Sequence, residues 1–201
     1  MDVPAYILDR YSNISLSADI MYVNGVAFFV VISRHINHIS VIPIQKRNYK
    51  TMLGCIDQLK AAYDLREFTK FECLRNDLRK AERKIELNCV AADEHAPYIK
   101  RCIRHVKERR RCTFASLNFK RLTRRLVTEL VCTAVFLINS TPRSEGVHPT
   151  LSPRAIMTGY SLTSKSVEFQ FGDFVQATEP PKTSNSKNTM DERTSDAIYC
   201  T

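Results

Sequence analysis

The chain has 201 residues and a formal charge of +9. An apolar content of 44% and a charged content of 25% are those of a globular chain long enough for one ordinary domain with a buried core plus a tail. A membrane span is excluded by the sequence, because no apolar run approaches the roughly 20 residues a span needs; the longest lies near Val131 to Ile138.

Met1 to Arg10 carries acids and a proline where a signal peptide would carry a basic and then an apolar region, so the expected location is nuclear or cytoplasmic rather than secreted. The seven cysteines, at 55, 73, 89, 102, 112, 132 and 200, form no CxxC pair, which fits reduced thiols. His35 and His38 are close enough to share a face, but no cysteine pair lies nearby and no metal site is expected there.

Residues 1–14 read as a lead-in. Ser15 to Val23 and Val26 to Ser33 read as strands joined by Asn24-Gly25, the strongest short hairpin signal because both turn residues tolerate positive φ. His38 to Ile44 reads as a third strand. Its Pro43 cannot donate to a ladder, so the strand belongs at an edge. Three such strands make an antiparallel meander. Met52, Ile56, Leu59 and Tyr63 recur at helical spacing within Asn48 to Asp64. Leu65 to Phe71 is ambiguous; Cys73 to Lys84 reads as a charged helix and Ile85 to Ala91 as a buried strand. Pro97 opens a helix to about Cys112, where its missing N–H has no partner to lose. A further helix runs from Leu122 to about Asn139.

After Pro142 the composition shifts to Ser, Thr, Pro and Gly. A helical turn is expected over Pro153 to Met157, and two short strands within Val167 to Gln176 around Gly172-Asp173. The core therefore covers 15–142, an extension with a short strand pair covers 143–178, and the tail 179–201 is expected to be disordered, most clearly over the polar Pro180 to Arg193. The element order points to an α/β fold with a mixed sheet and packed helices.

Charge is concentrated. Lys100, Arg101, Arg104, Lys107, Arg109, Arg110, Arg111, Lys120, Arg121, Arg124 and Arg125 face a single acid, Glu108, within one segment, which leaves the rest of the chain near neutrality. Ile99, Ile103 and Val106 give that helix an apolar stripe to pack on. An ordinary solvated face mixes signs, because like charges at i,i+4 repel. The remaining face is therefore expected to bind a polyanion, nucleic acid first, through counterion release. Tyr98 and Phe114 flank the segment; stacking on bases is one use for them, and core packing is the commoner one.

Four segments, ADIMYVNGVAFFVVISR (Ala18 to Arg34), ADEHAPYIKRCIRHVKERRRC (Ala92 to Cys112), LVTELVCTAVFLIN (Leu126 to Asn139) and TLSPRAIMTGY (Thr150 to Tyr160), resemble in their order and spacing the integrase core of Copia-type LTR retrotransposons. The resemblance runs from Ser17 to Tyr160 and implies an RNase H-like three-layer fold. In that family three carboxylates hold two Mg²⁺ ions for an in-line phosphodiester displacement.

Carried over residue by residue, the first acid falls on Asp19, whose alternative is an outward-facing aspartate on the polar side of the pleat. The second should end a strand after the first long helix. YDLREFTKFECLRNDL shows no such strand or acid, as if residues were deleted between Phe68 and Lys70, and Asp77 matches a later helical position. The central strand is thus expected to be truncated, with Glu67 to Phe71 as a partial replacement. The third position is Lys100, an ammonium where a metal needs an anion. Asp93 and Glu94 precede it by more than one helical turn, and with Asp19 they make at most a weak metal site.

The resemblance therefore implies an integrase-like nucleic-acid-binding domain that is catalytically inactive and needs no cofactor. DNA is the favoured partner over RNA, with a second copy of the chain as a further partner and no membrane. The alternatives are a decayed reading frame, a small arginine-rich RNA-binding protein, and an active nuclease using Asp19 with Asp93 or Glu94.

Overall fold

The computed structural model describes residues 3–11, 13–68, 70–74, 86–87, 97–144, 146–163, 168–178 and 194–200. The first element, α1 (Ala5–Tyr11), arises in what sequence read as a lead-in; its Ile7 is fully buried. The strands β1 (Asn13–Val23), β2 (Val26–Ser33) and β3 (Ile39–Ile44) form the expected meander. Asn24 (φ 46°) and Gly25 (φ 77°) both take the left-handed conformation that joins two strands without splaying them. Pro43 lies in β3, at the edge of the sheet as expected.

Next come α2 (Tyr49–Asp64), β4 (Lys70–Leu74), β5 (Glu86–Leu87), α3 (Pro97–Ser116), α4 (Arg124–Ser140) and α5 (Pro153–Thr158). Asn48 caps α2 by accepting the N–H of Thr51, and Thr123 caps α4 by accepting that of Leu126. Helix α3 runs four residues past the expected Cys112. The five-stranded sheet has the order β3-β2-β1-β4-β5, with β1–β3 antiparallel and β4 and β5 parallel to β1.

The expected truncation of the central strand, with Glu67 to Phe71 as its partial replacement, is revised here. Strand β4 lies beside β1, Lys70 level with Asn13 and Leu74 with Ser17. It starts three residues into the expected replacement, because Glu67 takes positive φ (66°) and Phe68 turns into the core, fully buried. Cys73 and Leu74, assigned by sequence to a helix, are its last two residues. The remainder of that helix and most of the strand expected over Ile85 to Ala91 lie outside the described residues.

Both faces of the sheet are covered. Leu16, Phe29 and Val31 pack with Ile7 of α1, with Ile56, Leu59 and Tyr63 of α2, and with Ile156 of α5. On the other face Met21, Val23, Phe28, Val30 and Ile32 pack with Ile99, Cys102 and Val106 of α3 and Val127, Val131 and Val135 of α4. This two-sided burial explains why β2 reads as the continuous apolar run FFVVI instead of alternating. The molecule is a mixed α/β fold with helices on both sides of the sheet.

One side chain caps the start of the β3 edge. Asn139, buried near the end of α4, accepts the N–H of Ile39 through Oδ1 (2.9 Å) and donates through Nδ2 to the Ile39 carbonyl (2.7 Å). Both backbone groups that Ile39 turns away from β2 are thereby paired.

The C-terminal strand pair differs from the expectation. Strand β6 (Phe174–Thr178) pairs with β7 (Thr194–Ile198), which comes from the stretch expected to be disordered; Pro180 to Arg193 lies outside the described residues. Phe171 buries against Leu117 and Leu130 and so ties this hairpin to the α3–α4 loop. Gly172 has φ +96°, and a Cβ there would meet Leu117 Cδ2 at 2.3 Å. For an L-residue the conformation alone costs about 1–2 kcal/mol. Gly172→Ala should therefore speed hydrogen exchange at the Tyr199 N–H, which donates to the Asp173 carbonyl, by about tenfold or more, leaving β1–β3 amides unchanged. Unaltered exchange at Tyr199 would show that the hairpin does not depend on this glycine.

Candidate nucleic-acid interface

Asp19 lies midway along β1, opposite Val30. Strand alternation puts it on the face of Ser17, Met21 and Val23, the face covered by α3 and α4. Helices cover this face at Met21, Val23 and Phe28. Asp19 is half-buried and its Oδ1 accepts the N–H of Ile20 at 2.7 Å. Lys100 is exposed in the first turn of α3. Asp77, Asp93 and Glu94 lie outside the described residues. Among the described residues no group of three or more His, Cys, Asp or Glu side chains is placed to hold a metal ion, so those side chains do not fit a two-metal site.

His35 and His38 go to different partners. The His35 ring lies 5.4 Å from that of Tyr11, whereas His38 meets the Tyr63 ring edge-on and its Nδ1 faces the Ser40 hydroxyl. Burial pushes the His38 imidazole down to about 4 and the Tyr63 hydroxyl up to about 12. Cys55, Cys102, Cys112, Cys132 and Cys200 are free, and burial raises the Cys102 thiol to about 12.

The basic segment folds as α3, the loop after it, and the start of α4. Ile99, Cys102 and Val106 anchor α3 to the sheet. At about 100° per residue the same periodicity carries Lys100, Arg104, Lys107 and Arg111 along one flank. Lys100, Arg101, Arg104, Arg109, Arg111, Arg121, Arg124 and Arg125 are exposed, and Lys107 is half-buried. Glu108, the single acid of the segment, holds the Nε of Arg104 at 2.9 Å.

Two of the eleven cations have other work. Arg110 falls on the packed side of α3, where its Nε is buried without a hydrogen-bond partner among the described residues; burial and the adjacent Arg111 charge lower its pKa. Lys120 closes the end of α3. Its ammonium donates to the carbonyls of Leu117 (2.8 Å), Ala115 (3.1 Å) and Phe114 (3.4 Å) and lies over the Phe114 ring. Phe114 packs in the loop cluster, and the Tyr98 hydroxyl donates to the Asn37 side chain, with the Arg34 carbonyl at 3.2 Å as its alternative acceptor. Both aromatics therefore serve the core rather than a stacking surface.

No family model matches the chain, and no curated protein matches it. Among solved structures, the catalytic core domain of BIV integrase is similar, with a TM-score of 0.46 and 14% identity over 72% of this chain and 93% of that chain. At that score the likeness decides nothing further about this chain. No described helix is long and apolar enough to cross a membrane.

Sequence reasoning missed Asn139. Its signal was present as a lone amide closing the apolar run LVCTAVFLIN, but nothing local says that its partner lies one hundred residues away.

Proposed function

We propose that the chain is a Copia-type, RNase H-like integrase core that holds nucleic acid, DNA in preference to RNA, and has lost strand transfer. The observation that carries the binding half is the exposed cationic surface of α3 and the start of α4, opposed within its segment only by Glu108. The sheet order β3-β2-β1-β4-β5, three antiparallel strands followed by two parallel to β1 under helices on both faces, supports the fold assignment. The ammonium of Lys100, standing where the resemblance puts an acid, supports the loss of a Mg²⁺ pair.

Purified full-length chain should bind a short duplex with an affinity that falls by about 10²–10³-fold between 50 and 200 mM salt, as four to six phosphate contacts require. It should not nick that duplex with Mg²⁺ present. Salt-independent binding, or none, would refute the proposal.

One observation favours a second reading, a metal-dependent nuclease. Strand β4 ends on Leu74, level with Ser17 and two residues short of Asp19, and Asp77 follows Leu74 by three residues in the sequence. Nicking that requires Mg²⁺ and disappears in both Asp19→Asn and Asp77→Asn would establish it; nicking that survives Asp77→Asn but not Asp19→Asn would point to Asp93 or Glu94.

A further inference from the structure

The charge on α3 is arranged as well as abundant. With the packed face centred on Ile99 and Val106, Lys100, Arg104, Lys107 and Arg111 fall within about 60° of one another on one flank. They are spaced four, three and four residues apart, so the stripe is about 16 Å long with a cation every 4.5–6 Å. The pole opposite the packed face belongs to Glu108, about 180° from Ile99, with Arg101 and Ala115 on either side.

That arrangement separates two ways of holding a polyanion. A helix that reads a groove pushes its pole between two phosphate backbones and meets base edges there. Here the pole carries an acid, which both backbones would repel. A flank stripe instead meets one backbone. At about 3.4 Å of axis per phosphate on a strand, 16 Å spans roughly five phosphate steps, enough for four cations to meet near-consecutive phosphates. Contacts to phosphates carry no base sequence.

We infer that α3 tracks the phosphates of a single strand along Lys100, Arg104, Lys107 and Arg111, so that single-stranded nucleic acid is held about as well as duplex, whatever its sequence. This inference rests on the nucleic-acid-binding reading above. Glu108 is a built-in brake on it, because it ties up Arg104.

The test uses the full chain with labelled single-stranded and duplex 20-mers of two scrambled sequences, titrated at salt concentrations from 50 to 200 mM. Affinities for single strand and duplex should agree within about tenfold and be independent of sequence. Lys100→Gln, Arg104→Gln, Lys107→Gln and Arg111→Gln should each lower the log–log salt slope by about 0.9 on duplex and 0.7 on single strand. Arg101→Gln and Arg109→Gln, exposed on the same helix but off the stripe, should lower the slope by less than half as much as the stripe variants, and Glu108→Gln should tighten binding several-fold. All are surface positions except the half-buried Lys107, whose variant is checked by circular dichroism.

Duplex binding with single-strand affinity more than tenfold weaker overturns the single-strand inference while leaving nucleic-acid binding intact. So does a loss of slope in Arg101→Gln or Arg109→Gln equal to that of the stripe variants. Failure of both nucleic acids to bind at 50 mM salt overturns the underlying reading itself.

Discussion

Asn139→Leu should destabilise the fold by about 3 kcal/mol, because each buried backbone group left without a partner costs roughly 1–3 kcal/mol and Ile39 would lose two. For a chain of this size that is a fall of roughly 6–12 °C in melting temperature. The pairing is specific to the amide, since Oδ1 accepts from the Ile39 N–H while Nδ2 donates to its carbonyl, and no apolar side chain does either. Ser140→Ala is the control. Among the described residues its hydroxyl bonds only the Phe136 carbonyl of its own helix, so its removal should cost less than about 1 kcal/mol. Thermal or urea unfolding of the two variants decides the matter. Equal, small losses would mean that water replaces the amide at the edge of β3.

The second large effect is one of pH. His38 is held neutral by burial, with its pKa pushed from 6.5 to about 4, beside the Ser40 hydroxyl and the edge of Tyr63. The sign follows from which state binds the proton. Below pH 6.5 the unfolded chain takes up a proton that the folded chain refuses, so stability is full above that value and is lost as pH falls towards 4. Between pH 7 and pH 5 the loss from this residue should be about 2 kcal/mol. Burying an imidazolium there would leave it facing an aromatic ring and one hydroxyl. His38→Phe should flatten the stability profile over that interval, with carboxylate titration taking over below it. A variant as acid-sensitive between pH 7 and 5 as the parent protein would show that His38 is not the cause.

Much of the fold can be read locally. Asn24-Gly25 announces the first hairpin through its positive φ values. Pro43 marks an edge because it has no N–H to give. Asn48, Thr123 and Ser152 stand as caps directly before α2, α4 and α5. Gly172-Asp173 reads as a turn and forms one, but the strand after it pairs with β7 instead of with the residues before the turn, a partner some twenty residues further along the chain. The strand β4 lies three residues beyond its expected place for a related reason. KFECL has no alternation and little apolar length, and it becomes a strand by pairing with β1.

The candidate interface divides the same way. By itself the sequence determined the meander, the main helices and the concentration of cations between Lys100 and Arg125, because turn chemistry, helical periodicity and net charge are properties of neighbouring residues. Only the tertiary structure decided that β4 joins the sheet beside β1, that Asp19 lies half-buried on the face covered by α3 and α4, and that Arg110 packs inward while Lys120 closes a helix end. Each of those depends on which surface comes to lie against a residue, and that is settled by the burial of two sheet faces at once.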